Sequence, residues 1–177
     1  MNSIIEYLLD NVDKYPSRIA LIDNEHQISY ELFWKMASQI GWYLKEKLKA
    51  RNQPIGVIAR HNVYTPIIFM GICSSGNFYV PIDPDMPREK MEKIICLSEI
   101  KVVISYREDL NFTNTYDCEY VNIQNIVTEN NMQLLSRSKC IENRTLQEPF
   151  SVLYTSGLIF QNISTLLMQN IRKVSYK

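Results

Sequence analysis

The chain has no surplus of charge of either sign: 19 Lys and Arg balance 19 Asp and Glu, so no global field draws it to nucleic acid or to an anionic membrane. It also lacks any run of about twenty apolar residues, and its first residues do not form a basic segment followed by an apolar one. Neither a membrane span nor an export signal is expected, and the cytoplasm is the expected compartment. Four cysteines, Cys73, Cys96, Cys118 and Cys140, stand far apart with no Cys-x-x-Cys pair, and His26 and His61 are the only histidines, so no zinc site is expected. Glycine is scarce, five in 177 residues, and neither Gly-x-Gly-x-x-Gly nor Gly-x-x-x-x-Gly-Lys-Ser/Thr follows any strand. That disfavours a small unrelated nucleotide-binding domain. Asn-x-Ser/Thr triplets at Asn111, Asn143 and Asn162 are read as chance, because nothing directs the chain to the glycosylation machinery.

What is present is an alternation of strand and helix patterns over the length of one domain. Ser3 and Glu6 form a capping box, and Ile5, Leu8, Leu9 and Val12 recur at helical spacing until Tyr15-Pro16. Ile19 to Asp23 and Gln27 to Ser29 read as a hairpin around Asn24-Glu25, and Ser29 is placed to cap the next helix. From Tyr30 to about Lys49, the residues Phe33, Met36, Ala37, Ile40, Leu44 and Leu48 form one stripe. Ile55 to Ala59 is a buried strand. Thr65-Pro66 reads as a cap plus a first-turn proline, opening a helix that is apolar all round from Ile67 to Cys73 and ends at Gly76. Phe78 to Ile82, Pro87 to Leu97 and Lys101 to Ser105 continue as strand, helix and strand. Glu119 to Ile123 reads as a strand, Asn125 to Leu135 as a short irregular helix, Ser136 to Gln147 as a loop and Phe150 to Tyr154 as a strand. The expected fold is α/β, a layered and mostly parallel sheet with flanking helices.

Two stretches carry more information than packing requires. The first, Gly71 to Pro87, reads GICSSGNFYVPIDPDMP: a buried helix ends at Ser75-Gly76, an aromatic and β-branched strand follows, and a proline-rich turn leads at once into another helix. The second, Val152-Leu153-Tyr154-Thr155-Ser156-Gly157, is a strand opening into a Ser/Thr/Gly loop. Such a loop offers hydroxyls and successive backbone N–H groups to phosphate oxygens, and glycine permits the close approach.

The order and spacing of these blocks resemble those of adenylate-forming (AMP-binding) enzymes, in particular the amino-acid-activating adenylation domains of nonribosomal peptide synthetases and the D-alanine carrier-protein ligases. Ile28-Ser29-Tyr30-Glu31-Leu32 is similar to that family's earlier block, and the resemblance spans roughly residues 4 to 157. It implies an incomplete N-terminal subdomain of the adenylate-forming fold at 1–157 and a divergent tail at 158–177, where Ile159, Ile163, Leu166, Leu167 and Ile171 can form a helical stripe. It implies ATP-dependent activation of a carboxylic or amino acid, with ATP and Mg as cofactors and a carrier-protein thiol as acceptor. Thr155, Ser156 and Gly157 inherit a partial phosphate loop.

Two departures mark the chain. Ser74 and Ser75 stand where relatives carry Lys and Ala, and Gly157 is followed by Leu158-Ile159-Phe160-Gln161-Asn162, which lacks the loop's second threonine, second glycine, proline and lysine. Losing one preorganised donor to developing negative charge costs about 3 kcal/mol, and several are missing together. The family's ribose-binding aspartate, linker arginine and C-terminal lysine belong to later segments. The expectation is therefore a truncated ligase that is inactive alone and does not hold ATP tightly, with no catalytic or metal-binding residue assigned. The alternatives are a non-catalytic binding or regulatory fragment, or the product of a disrupted gene, with self-association through exposed apolar surface. His61, Asp83, Asp85 and Cys96 receive no role: each is explained by solvent, a turn, a cap or an inert thiol.

Overall fold

The computed structural model describes residues 4–107, 118–127, 151–155 and 158–159. Helix α1 runs from Ile4 to Lys14 and buries Ile5, Leu8 and Leu9. Ser3, the capping residue proposed for it, lies outside the described residues. Strands β1 (Ile19–Ile22) and β2 (Gln27–Ser29) pair antiparallel. The Ser29 hydroxyl then accepts from Leu32 N at 3.2 Å and caps α2, Tyr30–Leu48. The buried face of α2 is wider than the expected stripe, taking in Trp34, Ser38, Gln39 and Gly41 as well, because a second helix covers it.

That second helix is α3, Tyr64–Ser74, between β3 (Pro54–Ile58) and β4 (Phe78–Ile82). Its start differs from expectation. The Asn62 carboxamide oxygen, not Thr65, accepts the first-turn N–H groups of Tyr64 and Thr65, each at 3.1 Å. Thr65 instead turns its hydroxyl back to the Arg60 carbonyl at 2.7 Å, so an Asn cap wins the N–H groups and Thr65 closes the loop behind them. Gly76 ends the segment with φ 81°, a conformation that favours glycine. Helix α4 (Arg88–Leu97) leads to β5 (Val102–Ser105), and β6 (Glu119–Asn122) follows.

The main sheet has the order β4-β3-β5-β6, and every pair is parallel. Its side chains alternate between two cores. Ile55, Val57, Val102 and Ile104 pack with α1, α2 and α3, whereas Ile58, Val80, Ile82 and Val103 pack with α4. Helices thus cover both faces, which explains why the strands read as continuous apolar runs. A short 3-10 turn, Ile123–Asn125, overlaps the expected irregular helix only at Asn125, and Ile126 and Val127 follow as turn and bend; the rest of that helix, from residue 128, and the polar loop lie outside the described residues.

Of the strand expected at Phe150 to Tyr154, Phe150 lies outside the described residues, and Ser151 forms a single parallel bridge with Tyr79 ahead of β7 at Tyr154–Thr155. Leu158–Ile159 form β8 and pair antiparallel with β7, so Ile159 is extended instead of opening the expected terminal helix. The remainder of that stripe, from residue 160, lies outside the described residues.

Candidate functional site

Two places gather chemistry at the carboxyl ends of the strands. The first is the segment after residue 150. Ser151 lies beside Tyr79, and Val152 N donates to the Tyr79 carbonyl at 3.0 Å, so the chain runs parallel to β4 along its outer edge toward the Pro81-Ile82-Asp83 end. Thr155 then pairs with Leu158 and Tyr154 with Ile159. Of the three phosphate-loop residues named from the sequence, Thr155 lies in β7, and Ser156 and Gly157 lie outside the described residues.

The second place is a cleft of about 380 Å³ where β3 and β5 end, floored by Ile58 and Ile68. The chain leaves β3 for β4 on one side and leaves β5 for β6 on the other, so the loops diverge and open a crevice. Asp23, in the β1–β2 turn, locks one wall. Its carboxylate accepts from His26 N at 2.7 Å, Glu25 N at 2.8 Å and Val63 N at 3.0 Å. The bond from Val63 leads in holding the Asp23 pKa down at about 2, with those from Glu25 and His26 adding to it. One carboxylate thereby ties the hairpin to the start of α3.

The lining beside it is aromatic. Tyr64 and Tyr106 stack with ring centroids 3.5 Å apart and planes 8° from parallel, and His26 stands edge-on to Tyr64 at 5.2 Å. Burial, together with the hydrogen bond to Tyr106, pushes the Tyr64 phenol well above its ordinary range, so it is a neutral hydroxyl at any physiological pH. Beyond the stack, the Arg107 guanidinium lies over the Tyr106 ring at 5.6 Å and meets Glu25 at 3.4 Å. The turn that carries it is pinned from below. Tyr120 donates to the Arg107 carbonyl at 2.6 Å, and the Ser105 hydroxyl contacts both groups.

His61, noted from sequence as a loop histidine, sits on the rim of this cleft beside Arg60. The cleft itself was not legible in sequence, since its walls come from residues some forty positions apart that share no spacing; the one available clue was the pair of strand ends at Ala59-Arg60 and Ser105-Tyr106. Asp83 accepts from Asp85 N at 2.9 Å in a turn, whereas the cap position of α4 is Pro87, with no side-chain hydrogen bond. Neither carboxylate therefore caps the helix. Cys96 is exposed on α4. Among the described residues, no group of three His, Cys, Asp or Glu is placed to hold a metal ion, and no helix is long and apolar enough to cross a membrane.

A doubly wound parallel sheet that gathers its loops at one edge defines the class: an α/β subdomain with helices on both faces of the sheet. Within that class, the chain belongs to the AMP-binding enzyme family, which matches residues 8–157. Enzymes of this family join a carboxylic acid to AMP. The chain is 25% identical over 171 residues to tyrocidine synthase 1 of Brevibacillus parabrevis, covering 93% of this chain and 15% of that one. It is 24% identical over 159 residues to gramicidin S synthase 2 of Brevibacillus brevis, covering 88% of this chain and 3% of that one. The chain thus spans only a small part of the length of these relatives. Among solved structures, the Klebsiella oxytoca NpsA N-terminal subdomain in complex with 3-hydroxybenzoyl-AMSN superposes with a TM-score of 0.75 at 16% identity, over 89% of this chain and 38% of that one. The fatty acyl-adenylate ligase from L. pneumophila in complex with acyl adenylate and pyrophosphate gives 0.76 at 16% identity, over 97% and 32%. At such identities these structures establish the shared fold.

Proposed function

We propose that these residues form the N-terminal part of a domain that activates an amino acid or related carboxylic acid as its acyl-adenylate, using ATP and Mg, for transfer to a carrier-protein thiol. The carrying observation is the family match across residues 8–157 on a doubly wound sheet. Kinship to peptide synthases supports the amino acid and the carrier thiol as substrate and acceptor.

The 177-residue polypeptide does not turn over by itself in this reading. The pairing of Thr155 with Leu158 supports this, since it engages the main chain of the first phosphate-loop residue in a strand pair. Thr155, Ser156 and Gly157 remain a partial phosphate loop, and the residues after Gly157 supply no lysine to it until Lys173. ATP–pyrophosphate exchange, run with the purified 177-residue chain and a panel of amino acids, tests the reading. No acid-dependent exchange above background is expected, and robust exchange overturns the claim of silence.

A further inference from the structure

We propose that the β1–β2 turn is a strap over the cleft between the carboxyl ends of β3 and β5, pivoting at Asp23 and closed by a salt-sensitive clasp between Glu25 and Arg107. The hairpin forms a two-stranded sheet of its own, outside the order β4-β3-β5-β6. Its strands are anchored, since Ile28 is buried in the core shared with α1, α2 and α3. Its turn, from Asp23 to His26, lines the cleft. On one side the turn meets the segment after β3, where Asp23 accepts from Val63 N, and on the other the segment after β5, where Glu25 meets Arg107. It therefore bridges the two diverging connections that frame the cleft and its floor of Ile58 and Ile68.

The two ends of the strap are held unequally. At the pivot, the Asp23 carboxylate accepts from Glu25 N at 2.8 Å and His26 N at 2.7 Å, and Asp23 N donates to the His26 carbonyl at 3.0 Å, so the turn moves as one piece. A third bond to that carboxylate, from Val63 N at 3.0 Å, crosses to the start of α3. Hydrogen bonds to a charged acceptor are the strong ones, so this end stays attached. At the clasp, a single contact of 3.4 Å joins Glu25 to Arg107, and both side chains are 66% exposed. An ion pair so exposed is screened by salt and close to balance, so it opens and closes without unfolding the rest. Between pivot and clasp stands His26, edge-on to Tyr64 at 5.2 Å and to Tyr106 at 6.5 Å, and these ring contacts part as the turn lifts. The segment after β5 does not follow, because the Tyr120 hydroxyl donates to the Arg107 carbonyl at 2.6 Å and holds that backbone in place.

The test reads solvent access to the cleft floor in the full 177-residue chain, as the broadening of the Ile58 and Ile68 methyl NMR signals by a neutral gadolinium chelate. Raising sodium chloride from about 0.01 M to about 1 M is expected to increase that broadening about twofold. Glu25→Gln is expected to give the same increase at low salt and to abolish the response to salt. Amide exchange at Val63 should stay unchanged in Glu25→Gln and rise about tenfold in Asp23→Asn, which weakens the pivot. The salt series needs no variant, so it decides the matter even where Asp23→Asn fails to fold. Floor signals indifferent to both salt and Glu25→Gln overturn the strap. A salt response that persists in Glu25→Gln overturns the clasp, and Val63 exchange that rises as much in Glu25→Gln as in Asp23→Asn overturns the pivot.

Discussion

Tyr79 lies on the edge strand β4 with its ring stacked on Phe69, centroids 3.9 Å apart, and burial pushes its phenol up to about 12, the nearby Cys73 adding to the rise. The sign of the consequence is fixed. Below pH 10.0 the phenol is neutral in both the folded and the unfolded chain; between 10.0 and about 12 the unfolded chain ionises and the folded one resists. Stability contributed by this group is therefore complete below the unfolded value and is lost as pH rises through the folded one. Tyr79→Phe is expected to lose less stability than the parent across that interval, read as urea midpoints on either side of it. Equal alkaline losses in both proteins would count against the buried phenol. The sequence shows Tyr79 only as one aromatic in a β-branched run; its burial depends on α3 and on the segment at Ser151, both placed by the tertiary fold.

Among the elements, α2 and α3 form the tightest seam, and their glycines rank differently. A Cβ on Gly71 would stand 2.7 Å from Ile40 Cβ and 2.9 Å from the Ala37 carbonyl, a backbone atom that cannot swing away. One on Gly41 would meet Ser74 Oγ at 2.1 Å, a group that can rotate, although the Gly71 carbonyl waits at 3.0 Å. Helix propensity favours alanine by about 1 kcal/mol, but overpacking costs about 1–3 kcal/mol and wins where backbone is met. Gly71→Ala is expected to destabilise the fold by about 1–3 kcal/mol and Gly41→Ala by less, as chemical denaturation of the pair would show. At the start of α3, Asn62→Ala removes the acceptor of two N–H groups and is expected to cost about 1 kcal/mol, with Thr65→Ala sparing the cap. The helix itself was plain in the sequence. Its cap was misplaced because Thr65-Pro66 and Asn62 are both acceptable caps locally, and only the direction of the loop leaving β3 chooses between them.

For the whole molecule, the sheet is covered on both faces, yet large apolar side chains remain in water: Ile22 is 67% exposed, Tyr7 60% and Leu97 59%. The chain occupies 3% of gramicidin S synthase 2 and 15% of tyrocidine synthase 1, so in relatives of that size further structure is available to cover such residues. The 177-residue polypeptide is accordingly expected to self-associate, with an apparent mass by light scattering that grows with concentration. A concentration-independent monomer would remove that argument.

The amino-acid order alone determined the elements and their family. Apolar periodicity set α1 to α4, the continuous apolar runs set parallel strands buried on both faces, and the block from Gly71 to Pro87 carried the kinship, because each depends on residues close together in the chain. Tertiary structure alone decided the cleft. Asp23, Arg60, Tyr64 and Arg107 meet only because parallel strands bring all their carboxyl ends to one edge and the connections part between β3 and β5. The same holds for Thr155: its residue type promised a loop position, and it pairs with Leu158 in a strand, since main-chain hydrogen bonding between strands follows register, not side-chain chemistry.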